Sequence, residues 1–118
     1  MSSLDSLLNR QRVVCRLHAV SKKRVLELIA QHIAEAEASL EVEQVYASLL
    51  ERERLGSTAL GTGVAVPHCR VPGLDKPLGC LITLASPIDY DAPDGEPVDL
   101  LFVLLVPPDA AQEQLDLL

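Results

Sequence analysis

Residues 98–106, VDLLFVLLV, are apolar except for Asp99, and Pro107 and Pro108 stop the run. The run shows no alternation of wet and dry positions. A strand of this kind must be buried on both faces, as a central strand in a covered sheet is. It is far too short to cross a bilayer. The rest of the chain must therefore supply neighbouring strands and something to cover them.

Two helical stripes supply the cover. In KKRVLELIAQHIAEAEA, the positions Val25, Leu28, Ile29, His32, Ile33 and Ala36 share one helical face, and Ser21 is placed to cap the start. From Val42 to Leu55, Val42, Val45, Tyr46, Leu49 and Leu50 form a second stripe, which Gly56 ends as a C′ glycine. Beyond Gly56 the period changes. STALGTG reads as turn chemistry, VAV (64–66) as a short strand and VPGLDKP as a loop. LGCLITL (78–84) reads as a buried strand, and ASPIDYDAPDGEP as a long connection with an Asp-Gly turn. The stretch 12–20 is weakly extended. Asp109 and Gln112 form a capping-box-like pair that opens a last helix. The fold class is α/β, a mixed β-sheet flanked by α-helices, in one domain spanning 1–118. The chain stops on Leu-Leu, which implies a truncated C-terminal part or a last helix docked by something else.

Composition narrows the function. Aromatics are limited to Tyr46, Tyr90 and Phe102, so Leu, Val, Ile and Ala must build the core. The net charge is −7, and no basic residue follows Asp89. Nucleic acid is an unsuitable partner for such a surface. The basic run Lys22, Lys23 and Arg24 reads as a solvated first helical turn. Three cysteines, at 15, 69 and 80, fit no zinc spacing and suit a reducing cytoplasm. His18, His32 and His68 are scattered, so no metal and no cofactor is expected. His32 reads as a structural histidine on an apolar face. Asp89, Asp91, Asp94 and Glu96 lack the register of a calcium loop, because Pro93 and Pro97 interrupt it. No signal peptide or membrane insertion is expected, and the localisation expected is cytoplasmic.

The segment GTGVAVPHCR (61–70) carries the chemistry. His68 offers a nucleophile that is partly unprotonated near neutral pH. Pro67 restricts the backbone before it, and Gly61 and Gly63 allow close backbone approach. Ser57 and Thr58 add hydroxyl donors. Arg52 and Arg54, on the last turn of the second helix, can reach the turn with a guanidinium fork suited to phosphate. Together these meet the needs of a phosphoryl acceptor, although each alone is ordinary. A nucleophilic Cys69 lacks a base, since in extended backbone the His68 side chain points to the opposite face.

LERERLGSTALGTGVAVPHCR, followed by SPIDYDAPDGEPVDLLFVLLVP, resembles the enzyme IIA domains of the bacterial phosphotransferase system. The nitrogen-regulatory branch is the nearest likeness, and the fructose and mannitol IIA domains are its relatives. The resemblance implies that His68 is phosphorylated by a small histidine-containing phosphocarrier and that Arg52 is the active-site arginine. It also implies that the phosphorylation state is read by regulatory partner proteins. Two alternatives stand beside it: a IIA domain of a sugar permease, and an interaction module of the same fold that has lost phosphorylation. The family usually places a second histidine where this chain has Gln114, in QLDLL. Glutamine can hydrogen-bond a phosphoryl oxygen but carries no proton or charge, which implies slower exchange. Family members also run several dozen residues further. Without those residues, exposed leucines and one bare sheet face imply a homodimer or instability.

Overall fold

In the computed structural model, residues 13–109 are described; residues 1–12 and 110–118, including the expected last helix, lie outside the described part. Strand β1 (Val13–Leu17) comes first. The Ser21 hydroxyl oxygen then accepts from the Arg24 backbone N–H at 3.1 Å and caps helix α1 (Lys22–Ala36). This side-chain acceptor satisfies one of the N–H groups that a helix start leaves without a partner. The buried stripe of α1 is Val25, Leu26, Ile29, Ala30 and Ile33. It is rotated slightly from the sequence reading, so Leu28 and His32 flank it half-buried. Helix α2 (Val42–Arg54) packs on α1 and buries Val45, Leu49 and Glu53.

Five more strands follow: β2 (Ala59–Gly61), β3 (Val64–Ala65), β4 (His68–Arg70), β5 (Leu78–Ile88) and β6 (Val98–Val106). The sheet order is β1–β5–β6–β3–β2, with β4 also on β6. β6 is central, with antiparallel β5 on one side and parallel β3 and β4 on the other. Alternate residues Leu101, Val103 and Leu105 enter the main core under the helices. Leu104 and Val106, with half-buried Phe102, form a second apolar cluster. That face of β6 is therefore not bare: Leu104 and Val106 are buried. Double-sided burial explains why the run in 98–106 shows no alternation.

Two readings of the sequence are corrected. The turn-like stretch STALGTG contains β2, which pairs with β3 through a tight hairpin. Both central residues of that hairpin have positive φ, Thr62 at 56° and Gly63 at 86°. Such a turn matches the twist of the strands it joins. Thr62 is β-branched and costly there, and its backbone N–H is held by Asp94 Oδ2 at 2.8 Å. The strand expected over 78–84 continues to Ile88, because a register shift between Thr83 and Ile88 absorbs Pro87 without a ladder bond.

β3 and β4 act as one interrupted strand along β6. Ala65 pairs with Leu101 and His68 with Leu104. Pro67 sits in the gap, where its lack of an N–H costs nothing, while its carbonyl accepts from Leu104 N–H at 2.9 Å. His68 thus opens a strand that is registered on the most deeply buried element of the fold. It is not a loose loop residue.

Candidate functional site

His68 stands at a cleft of about 460 Å³ between α2 and β4. Ser48, Glu51, Arg52 and Leu55 line the helical side, and His68, Cys69 and Arg70 line the strand side. The imidazole is half-buried. Its Nδ1 lies 2.7 Å from the Val66 carbonyl oxygen. A carbonyl oxygen can only accept, so the neutral ring donates from Nδ1 and keeps its lone pair on Nε2.

Arg52 is brought to the same cleft. It is half-buried on the last turn of α2, and its Nη1 donates to the Gly56 carbonyl at 2.9 Å. Gly56 has φ +152°, with open space around its Cα, so glycine serves the backbone there. Among the described residues no carboxylate pairs with Arg52. Its remaining donors lie on a fork that suits phosphoryl oxygens. Arg54 is carried to another surface, beside Lys22, Lys23, Leu50 and Glu53, and does not line the cleft. Arg70 does line it.

Ser57 and Thr58 follow Arg52 in the chain but do not line the cleft. The Ser57 hydroxyl donates to the Tyr90 carbonyl at 2.9 Å and accepts from Ala59 N–H at 3.2 Å. Thr58 is buried, with its hydroxyl on Glu53 Oε2 and its backbone N–H on Glu53 Oε1 at 3.2 Å. Gln114 lies outside the described residues.

Glu53 joins the site region only in the folded structure. It is 7% exposed and lies on the buried face of α2. Lys22 Nζ reaches it at 2.9 Å. The same ammonium lies 4.4 Å from the centre of the Tyr90 ring and 3.5 Å from the Tyr90 carbonyl. Lys22 is therefore no solvated residue, unlike its neighbours Lys23 and Arg24. Burial, with the Glu53 charge beside it, pushes the Tyr90 phenol well above its ordinary range. A signal for Glu53 was present in the sequence: it follows Leu49 by four positions and Leu50 by three, so a carboxylate continues an apolar stripe.

Cys69 is buried, and desolvation pushes its thiol up to about 12. A thiol held in that form is a poor nucleophile. His32 lies apart, in a groove between β1 and α1. Among the described residues, no group of three or more His, Cys, Asp or Glu could hold a metal ion, and no helix is long and apolar enough to cross a membrane.

The fold recurs in known proteins. Residues 6–118 match the family model "Phosphoenolpyruvate-dependent sugar phosphotransferase system, EIIA 2". The chain is 45% identical, over all 118 of its residues and 77% of the relative, to a nitrogen regulatory protein of Pseudomonas aeruginosa. The crystal structure of nitrogen regulatory protein IIA-Ntr from Neisseria meningitidis superposes with a TM-score of 0.89 at 42% identity, covering 98% of this chain and 78% of that one. The Escherichia coli IIA mannitol structure shares the fold, with a TM-score of 0.75 at 18% identity over 93% of this chain and 77% of that one. The chain belongs to the EIIA 2 family of the phosphoenolpyruvate-dependent sugar phosphotransferase system, and within it to the nitrogen-regulatory type.

Proposed function

We propose that this protein is a phosphoryl carrier: His68 accepts a phosphoryl group from the phosphohistidine of a small phosphocarrier protein, and cytoplasmic regulatory proteins read its phosphorylation state. The observation that carries this reading is the bond from His68 Nδ1–H to the Val66 carbonyl. It leaves Nε2 as the nucleophile at a cleft that Arg52 also lines.

In the transfer, the Nε2 lone pair forms the new N–P bond as the N–P bond of the donor breaks. The donor imidazole recovers its own lone pair, so no proton need move. The phosphorylated ring of His68 carries positive charge, and the Nδ1–H bond to the Val66 carbonyl dipole stabilises it. The Arg52 fork offsets the phosphoryl charge. Ser57 and Thr58 serve this reading as supports of the turn, with hydroxyls already bonded elsewhere. Gln114 is assigned a hydrogen bond to a phosphoryl oxygen, and Gln114→His is expected to speed exchange.

The nitrogen-regulatory relatives support regulation over sugar delivery as the output. The test is incubation with the general phosphotransferase components and a phosphoryl donor. Uptake of one phosphoryl group (about 80 Da of added mass, and the charge that goes with it) is expected in the wild type and not in His68→Ala. A folded wild type that gains no mass overturns the reading in favour of an interaction module. Rapid transfer onward to a sugar permease would favour the transport alternative.

A further inference from the structure

We propose that Glu53 and Thr58 are positioning residues that set Arg52 and His68 relative to one another, so that the cation and the nucleophile of the cleft hang from one buried carboxylate. The inference rests on the phosphoryl-carrier reading for its consequence, but its geometry is independent of it.

Glu53 and Arg52 are neighbours on α2, and successive helical residues point about 100° apart. With Glu53 fixed inward, Arg52 is turned toward the cleft. Three donors fix Glu53: Lys22 Nζ, Thr58 N–H and the Thr58 hydroxyl. From there two arms run to the site. One follows the helix end: Gly56 N–H donates to the Glu53 carbonyl at 3.1 Å, and the Gly56 carbonyl receives Arg52 Nη1. The other crosses to the strand: Val66 N–H donates to the Thr58 carbonyl at 3.0 Å, and the Val66 carbonyl receives His68 Nδ1. The first arm starts from the Glu53 main chain, and the second from the Thr58 backbone that the Glu53 carboxylate holds. The helix end and the strand that opens at His68 belong to different elements, and these bonds tie one to the other. A buried carboxylate with every donor in place resists a shift of one against the other, because moving it would strand a desolvated charge.

Glu53 and Thr58 reach the cleft only through other residues, so their effect must be read as coupling. Glu53→Gln keeps the shape, and Thr58→Val removes only the hydroxyl donor, which keeps the test usable if one variant unfolds. Each is expected to slow phosphoryl uptake roughly ten- to hundredfold, the loss that small misplacement of reacting groups produces. In an Arg52→Ala background the further loss from Glu53→Gln should shrink to about twofold to threefold, the non-additivity of residues acting through one another. Losses that simply multiply, or no loss in either single variant, overturn the proposal. A second readout needs no phosphorylation. In the unmodified protein the His68 Nδ1–H resonance should be present in the wild type and displaced or lost in Thr58→Val. An unchanged resonance there would sink the His68 arm even if the wild type never accepts phosphate, which separates failure of this inference from failure of the carrier reading.

Discussion

The His68 imidazole turns back on its own strand, with Nδ1 2.7 Å from the Val66 carbonyl oxygen two residues earlier. Pro67 lies between them and fixes φ, and the Val66 N–H is itself held by the Thr58 carbonyl at 3.0 Å. The bond decides which nitrogen is the nucleophile. Phosphate is expected on Nε2, with Nδ1 still protonated. Nitrogen and phosphorus NMR of the phosphorylated protein checks this directly, and a signature of Nδ1 phosphorylation would mean that the Val66 bond breaks before transfer.

Arg52 does two things at once: its Nη1 holds the Gly56 carbonyl, and the residue lines the cleft. Lysine lacks the planar fork that presents several donors at fixed spacing to a phosphoryl group. Arg52→Lys is therefore expected to behave more like Arg52→Ala than like the wild type, each slowing uptake about tenfold or more. The residue is half-buried at a helix end, so the melting temperature should fall by only a few degrees, about the shift that 1 kcal/mol produces in a domain of this size. A lysine variant with wild-type rates would show that charge alone matters.

The sequence displayed the fold where one physical rule acted alone. VDLLFVLLV is β6 at the bounds read from its apolar run, and Ser21 caps α1 as its side chain suggests. It misled where two rules competed. Glycine and threonine in STALGTG signal a turn, yet Ala59–Gly61 pairs as a strand because the hairpin needs positive φ beside a short ladder. Pro87 signals a loop, yet a register shift carries β5 past it. At the cleft, His68 and Arg52 could be picked out as residue types that suit phosphate. The partners of Ser57 and Thr58 could not, because local sequence does not tell a hydroxyl which neighbour it will meet. Lys22 and Glu53 are 31 positions apart, and only the packing of α1 on α2 joins them.

The three cysteines should separate cleanly by reactivity. Cys15 is exposed, whereas Cys69 and Cys80 are buried. Alkylation of the native protein at pH 8 is expected to label Cys15 alone, and rapid labelling of Cys69 would show that the cleft opens down to the core. Burial raises the Cys69 thiol from 9.0 to about 12. Its contribution to stability is full below pH 9 and is lost as pH rises toward 12, because the unfolded chain ionises first. Denaturant midpoints should therefore hold steady up to pH 9 and then fall. Cys69→Ala should remove the early part of that fall and leave the part that begins near pH 10, where the raised Tyr90 phenol acts in the same direction.

Lys22 offers the sharpest test of the buried network as a matter of stability. Its ammonium bonds Glu53 at 2.9 Å and covers the Tyr90 ring, while Asp91 lies 3.8 Å away on the exposed side. Lys22→Met keeps much of the packing over Tyr90 but takes the Lys22 ammonium away from the Glu53 carboxylate, leaving the two Thr58 donors. Breaking one side of a buried pair costs about 3 kcal/mol, because the remaining charge is desolvated without compensation. The double variant Lys22→Met with Glu53→Gln removes both charges and should recover most of that loss. Urea unfolding of the single and double variants measures both quantities. A double variant no more stable than Lys22→Met alone would mean that the pair contributes through packing rather than charge. The lysine would then belong to the apolar seam between α1 and the β5–β6 connection, and not to the support of the phosphoryl site.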